Sequence, residues 1–390
     1  MSRTRASLLG LALLLAGCAG AGRPVLLVGS QTQAPGEGLY RYRFDAERGL
    51  VAAQPDQRLG SDNSSWLALS ADRRRLFVAH ENGPGQANPR GAVGSFAIGP
   101  GDRRLAPLSR VASGGDEPTY LSLAPDGRFL FVAHYAAQAE PGGDLTVLPV
   151  DAQGRLGPPR QRLRHPARGV DEARQASSHV HAAVPSPDGH YLFASDLGAD
   201  RVYAYRYRPD AAAPLAPAKP PFLATPPGGG PRHLVFDADG AHAYLTLEMA
   251  DEVVVLERHG ARLVPRQRLP LAEAGPPPVS EGDPRRAGAL RLSADGRVLY
   301  AVSRGPRSLL AAYAVDPASG RLRLLQRRPL EGREPRDIAL DPSGRWLLVA
   351  DQGSDELLVI RRDPASGRLL ETHQRLALPR PLALRFLDAP

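Results

Sequence analysis

The sequence predicts an all-β protein: a seven-bladed β-propeller of four-stranded blades, with one blade completed by the N- and C-terminal strands. Three observations carry that prediction. Two hairpin signatures alternate along the chain, each returning at a period of about 53 residues, the mark of a repeat architecture. The 40 glycines and 39 prolines recur as turn punctuation rather than in one block. No stretch of useful length after residue 24 shows helical periodicity.

At the start of the chain, Arg3 and Arg5 precede an apolar run from Ala6 to Ala16. That run has signal-peptide length and falls short of the roughly 20 residues a membrane helix needs. It ends in Leu15-Ala16-Gly17-Cys18, which resembles a bacterial lipobox. Cys18 is the sole cysteine, so no intramolecular disulfide can form and acylation is its expected fate. Ala19 rather than Asp comes after it, a pattern similar to that sorted to the outer membrane. The expected organisation is therefore residues 1–17 as signal peptide, 18–24 as lipidated tether and 25–390 as propeller. The mature protein is expected to face the periplasm, lipid-anchored in the cell envelope at the outer membrane. The alternative is a plain secretory signal with an incidental cysteine.

The first hairpin signature is two apolar runs around an Asp-Gly-like turn. It spans Trp66–Val78, Tyr120–Val132, Ala182–Ala194, Leu234–Leu245, Leu290–Val302 and Ile338–Val349. Such turns call for positive φ, which Gly adopts freely. The second is a strand, a polar turn and a Leu opening the next strand. It spans Tyr40–Leu50, Val93–Leu105, Leu145–Leu156, Val202–Leu215, Val253–Leu263, Leu310–Leu322 and Leu357–Leu369. Alternation of the two gives four strands per repeat, a propeller blade. The first type is complete six times and the second seven, so the missing hairpin is expected from Val25–Gly29 and Pro381–Phe386, with the chain ends meeting. Six or eight blades are the alternatives. Residues 136–143, 209–230 and 273–288, rich in Pro and Gly, read as loops.

Composition excludes several functions. The net charge is +8, but all but one of the 49 basic residues are arginine, spread along the chain among acids, which argues against nucleic-acid binding. No GxSxG elbow is present, and the sole cysteine is the expected lipid site, so no covalent nucleophile stands out. His179-Val180-His181 alone is weak as a metal motif, and no metal or cofactor is expected.

Superposing the six Asp-Gly hairpins places two sets of residues at the strand ends opposite the turns. Seven residues before the turn lie Ser65, Thr119, His181, Arg232, Gly288 and Arg336; nine after it lie Glu81, Tyr135, Leu197, Glu248, Arg304 and Gln352. Exposed strand ends are polar in any case, but a His with three Args and two Glus is what an anion site at a channel mouth needs. His179 alternates with His181, which predicts that the two share a strand face.

Ser178-His179-Val180-His181, Gly230-Pro231-Arg232-His233-Leu234, Leu247-Glu248, Ser303-Arg304-Gly305 and Pro335-Arg336-Asp337 resemble motifs of the lactonase propeller family. That family contains a bacterial 6-phosphogluconolactonase and the fungal carboxymuconate lactonizing enzyme. The resemblance extends from about Val25 to Phe386. It implies His181 (or its neighbour His179) and Glu248 as the proton-transfer groups and Arg232 and Arg304 as holders of an anionic substrate. Arg336, Glu81, Tyr135 and Gln352 are expected to contact that substrate as well. Where family members commonly carry Ala-Ala-Glu-Ile, this chain reads Ala287-Gly288-Ala289-Leu290, so one acidic pocket residue is missing. The expected activity is hydrolysis of a small anionic sugar lactone or related cyclic ester by activated water. Export sits awkwardly with a cytosolic phosphorylated intermediate, so a non-enzymatic propeller lipoprotein that binds a ligand or protein is the second reading. The two are distinguished by whether His181, Glu248, Arg232 and Arg304 converge in one pocket or spread around a rim.

Overall fold

The computed structural model describes residues 24–388, except 33, 35, 87, 137–143, 167, 274–285 and 306. The expected signal peptide, Cys18 and the tether lie outside the described residues. Seven antiparallel sheets succeed one another along the chain. Their innermost strands are Pro381–Phe386, Ser64–Leu69, Asp116–Leu123, Val180–Pro185, Pro231–Phe236, Arg286–Leu292 and Pro335–Leu340. Each touches the next and the last touches the first, so the ring is closed around a central channel. We number the blades 1 to 7 in that order.

Burial tracks strand position. The second strand of a blade is covered on both faces, and Trp346–Asp351 is buried at every residue. The outermost strand has one wet face, and Leu369–Ala377 alternates accordingly. Apolar side chains collect between consecutive blades. Phe44, Trp346 and Phe386 pack between blades 7 and 1, and Phe131, Ala194 and Tyr205 between blades 3 and 4.

Blade 1 is closed as expected, with Pro381–Phe386 innermost beside Val25–Ser30 (Leu26 opposite Phe386, Val28 opposite Leu384). A polar clasp holds the junction. Val25 N donates to Asp388 Oδ2 at 2.9 Å, Arg103 pairs with Asp388, and Arg73 Nη1 donates to the carbonyls of Phe386, Leu387 and Asp388. Arg73 has φ +55° at a turn where the corresponding residue of the other hairpins is Gly127, Gly189, Gly240, Gly296 or Gly344. Its side chain performs the closure that a glycine would forfeit.

All three stretches expected to be loops contain strand residues. Leu215–Ala224 is the outermost strand of blade 4, where Pro217, Pro220 and Pro221 lie on a free edge that needs no backbone N–H. Arg286–Leu292 opens three residues earlier than the glycine pattern implied, and Ala136 ends a strand of blade 3. The remainder of those stretches, 137–143 and 274–285, lies outside the described residues.

Candidate active site

Every innermost strand breaks register at the end away from the Asp-Gly turns. The shifts fall between Ser64 and Trp66, Val180 and Ala182, Pro231 and Leu234, Ala287 and Leu290, and Pro335 and Asp337. In blades 3 and 1 the unpaired residues are Thr119 and Leu382. A β-bulge turns its extra residue out of the pleat. The bulge positions are the set counted seven residues before the turns, with Leu382 as the seventh member. Two residues upstream of the bulge, Asn63, Glu117, Gly230, Glu334 and Arg380 have φ between 40° and 63°. A left-handed backbone at non-Gly residues costs about 1–3 kcal/mol each and is characteristic of functional sites.

These irregular ends enclose a cavity of about 350 Å³ at one channel mouth. Its lining includes Glu81, Tyr135, His181, Glu248, Arg304, Arg336 and Gln352. Arg232 does not line it; it is 1% exposed and lies behind Glu248, with Nε 2.9 Å from Glu248 Oε2. His179 does not line it either. Its strand begins at Val180 and the bulge falls at His181, so the two histidines do not share a face. His179 instead stacks on Tyr135 with ring centroids 4.5 Å apart, and its Nδ1 contacts the Tyr135 carbonyl. Asp196 holds it there by accepting from His179 N at 2.9 Å. Leu197 is fully buried, and Ser65 Oγ is turned onto the Pro118 carbonyl.

Glu248 is the electrostatic centre. Oε1 accepts from Arg174 at 2.8 Å, while Oε2 lies 2.9 Å from Arg232 Nε and 3.0 Å from Arg304 Nη2. Burial pushes its pKa up, but Arg304 and Arg232 outweigh burial and hold the carboxyl well below the usual range. Both of its oxygens are engaged by arginines, which leaves neither free to take a proton from water. Burial works against the charge of Arg174 too, yet its bonds to Glu248 and Tyr135 raise its pKa. His181 is buried, edge-on to Tyr135 at 5.7 Å and to His233 at 5.4 Å. Burial, then Arg232, holds it neutral well below the ordinary histidine pKa. Four buried nitrogens near this mouth, His181 Nδ1, Arg232 Nε, Arg286 Nε and Arg304 Nε, lack an aligned hydrogen-bond partner. Native interiors seldom leave such groups orphaned without a reason.

Sequence reasoning missed several lining residues. Asn63, Glu117, Arg286 and Glu334 stand two residues before the bulge set, so one more register of the same superposition would have found them. Gln31 and Leu382 are the blade 1 members, and they have no shared turn from which to count. Arg174 comes from the connection between Leu163 and Val180 and carries no repeat signal. The missing glutamate also has a structural counterpart: a Cβ on Gly288 would lie 3.3 Å from Arg304 Cγ and Cδ, so the glycine makes room for Arg304.

The charge balance differs from the expected anion site. Lining arginines 174, 286, 304 and 336 face glutamates 81, 117, 248 and 334, and each arginine is paired: Arg174 and Arg304 with Glu248, Arg286 with Glu334 at 2.9 Å, Arg336 with Glu81 at 3.2 Å. Glu248 serves two of these arginines, so the balance of four against four is reached only by counting Glu117. Glu117 is the one described lining carboxylate outside these pairs; burial, then Glu81 and Asp116, raises its pKa. No group of three or more potential metal ligands occurs among the described residues.

Comparison with known proteins agrees with this architecture. The family described as "Lactonase, 7-bladed beta-propeller" matches residues 25–386. The 6-phosphogluconolactonase of Formosa agariphila is 28% identical over 357 residues, covering 90% of this chain and 96% of that protein. That of Bacillus subtilis is 28% identical over 360 residues, covering 92% and 97%. The periplasmic gluconolactonase of Pseudomonas aeruginosa superposes with a TM-score of 0.88 at 47% identity, covering 94% of this chain and 99% of that one.

Proposed function

The chain belongs to the seven-bladed β-propeller lactonase family, and from that premise we propose that it hydrolyses an uncharged sugar lactone in the cavity built around Glu248. The observation that carries this reading is the meeting of a neutral, partly unsatisfied histidine with paired but under-bonded arginines in a space of monosaccharide size. The balanced lining favours a substrate without phosphate. The amides of Gln31, Asn63 and Gln352 and the carboxylate of Glu117 are suited to sugar hydroxyls. The name of the Pseudomonas relative, a gluconolactonase, points the same way, whereas the names of the curated relatives point to the phosphorylated sugar.

The chemistry divides between one histidine and two arginines. Water attacks the lactone carbonyl carbon while the neutral imidazole of His181 takes its proton. Arg304 and Arg174, fixed by Glu248, stabilise the oxyanion that forms. The ring C–O bond then breaks, and the imidazolium returns the proton to the leaving alkoxide, giving the open hydroxy acid. Glu248 acts through the arginines, which separates it from the base role the sequence allowed it to share. His181→Gln is expected to lower kcat by 10²–10⁴-fold with the fold intact. Glucono-lactone is expected to exceed 6-phosphoglucono-lactone in kcat/KM by about tenfold or more. A well-folded protein inactive on every lactone would turn the reading to a binding propeller. Export with an acyl anchor on Cys18 is part of the same proposal. Cys18→Ala should move the protein from the membrane to the soluble periplasmic fraction.

A further inference from the structure

The central channel has a second mouth on the turn face, and the groups around it are not explained by lactone hydrolysis. Trp66 stacks on Tyr120 with centroids 4.1 Å apart and planes at 29°. The pair forms a wall shared by two cavities. One, of about 630 Å³, is also lined by Arg385, Asp72 and Asp126; the other, of about 300 Å³, by Arg291, His233 and Phe236. The Arg385 guanidinium lies 4.6 Å from the Trp66 ring and that of Arg291 5.9 Å from it.

One carboxylate stands between these two cations. Asp337 is 3.1 Å from Arg291 and 3.4 Å from Arg385, and it already accepts from Ile338 N at 2.9 Å and Leu384 N at 3.0 Å. It is saturated and leaves one positive charge uncompensated. Burial, then the nearness of Arg291, lowers the Arg385 pKa to about 10. The Tyr120 hydroxyl lies in the field of the same three groups. The two side chains are partly exposed, Arg291 at 27% and Arg385 at 19%. Asp72, Asp126, Asp151 and Asp237 also line these cavities but are engaged at the turns, so the surplus is local to Arg291, Asp337 and Arg385.

We infer that the turn-face mouth is a second ligand site, taking a small organic acid whose carboxylate meets Arg385 and Arg291 while its body lies on Trp66 and Tyr120. A planar fork of donors matches a carboxylate, and an aromatic face accepts the C–H surface of a sugar acid or a flat ring. The site does not depend on the lactonase reading.

The chain has two tryptophans, so Trp346→Phe leaves Trp66 as the only indole reporter. D-gluconate titrated into that protein should change its fluorescence saturably. Adding Arg385→Gln should weaken the apparent affinity at least tenfold, with lactone hydrolysis kept within twofold as the control for folding. Adding His181→Gln should leave the titration unchanged. If Arg385→Gln fails to fold, Arg291→Gln, on the far side of the blade 7 strand that carries Asp337, makes the same test. No response to gluconate in the folded protein overturns the proposal. So does a response that survives both arginine changes but disappears in the His181 variant, which would place the ligand at the other mouth. Equal response to inorganic phosphate overturns the carboxylate selectivity. Loss of hydrolysis in His181→Gln with gluconate titration intact would support both readings separately.

Discussion

The two ends of the innermost hairpins obey different rules. At the turn end the same arrangement recurs: Ser70, Ser186 and Ser293 each bond the Asp two residues on, and each accepts from the backbone N–H five residues on. Asp341 and Asp237 accept that same N–H in blades 7 and 5. At the other end, regularity gives way to bulges, left-handed residues and buried charges that differ from blade to blade. Turn ends form the frame, and irregular ends carry the chemistry. A substitution in the Ser-Asp turns should therefore cost stability and leave lactone turnover unchanged, and one at the cavity end should act on both stability and catalysis.

The sharpest test of that contrast is Glu248→Gln. It removes the shared counter-ion of Arg174, Arg232 and Arg304, and breaking such a buried cluster costs about 3–5 kcal/mol. Denaturant unfolding should register that loss, and kcat/KM should fall with it. An active, fully stable variant would break the comparison at its centre.

Acid should expose the cavity end and the channel next. His181 and His233 are held neutral by burial, His80 is lowered to about 4 and His134 to about 3, burial being the main cause in each. Unfolded histidines protonate near 6.5. The unfolded chain therefore binds more protons below that value, and stability is lost as pH falls from 6.5 toward the folded values. Asp351, raised to about 7 by burial and Glu356, opposes this, since its protonation favours the native state as pH falls. Glu117 and Asp144, whose pKa values burial also raises, act in the same direction as Asp351, and the four histidines leave a net loss over these three, measurable by urea unfolding at pH 7 and pH 5. Stability unchanged over that range would contradict it.

Smaller effects separate the ends further. Glu117→Gly relieves a left-handed backbone at φ +50° and should raise stability by about 1 kcal/mol while raising KM for a sugar lactone. At the turn end, Ser186→Ala removes the bonds to Asp188 and Tyr191 N and should cost about 1 kcal/mol, with kinetics unchanged.

The frame was legible in the sequence because its determinants are local: an Asp-Gly turn needs its glycine beside it, and alternating apolar runs declare the strands. The cavity was legible only where it kept the same register. His181, Glu248 and Arg304 could be counted from the turns; Gln31 and Leu382, split between the chain ends, could not. Bulges explain the misplacement of His179 and Arg232. One extra residue per strand rotates its neighbours out of the pleat's alternation, and no composition signal marks where it falls. Pairing was hidden too. Arg232, Arg304 and Arg336 looked like an anion site until Glu248 and Glu81 stood beside them as partners.

The closing strand Val25–Ser30 runs from the clasp with Asp388, on the turn face, to Ser30 beside the cavity. Whatever precedes residue 24 therefore departs from the turn face. Seven residues, 18–24, reach at most about 25 Å when extended. A chain moored at Cys18, as proposed, would ride close to the bilayer with its substrate entrance open to the compartment. With the anchor proposed above, the opposite mouth would look toward the membrane across a thin layer of solvent.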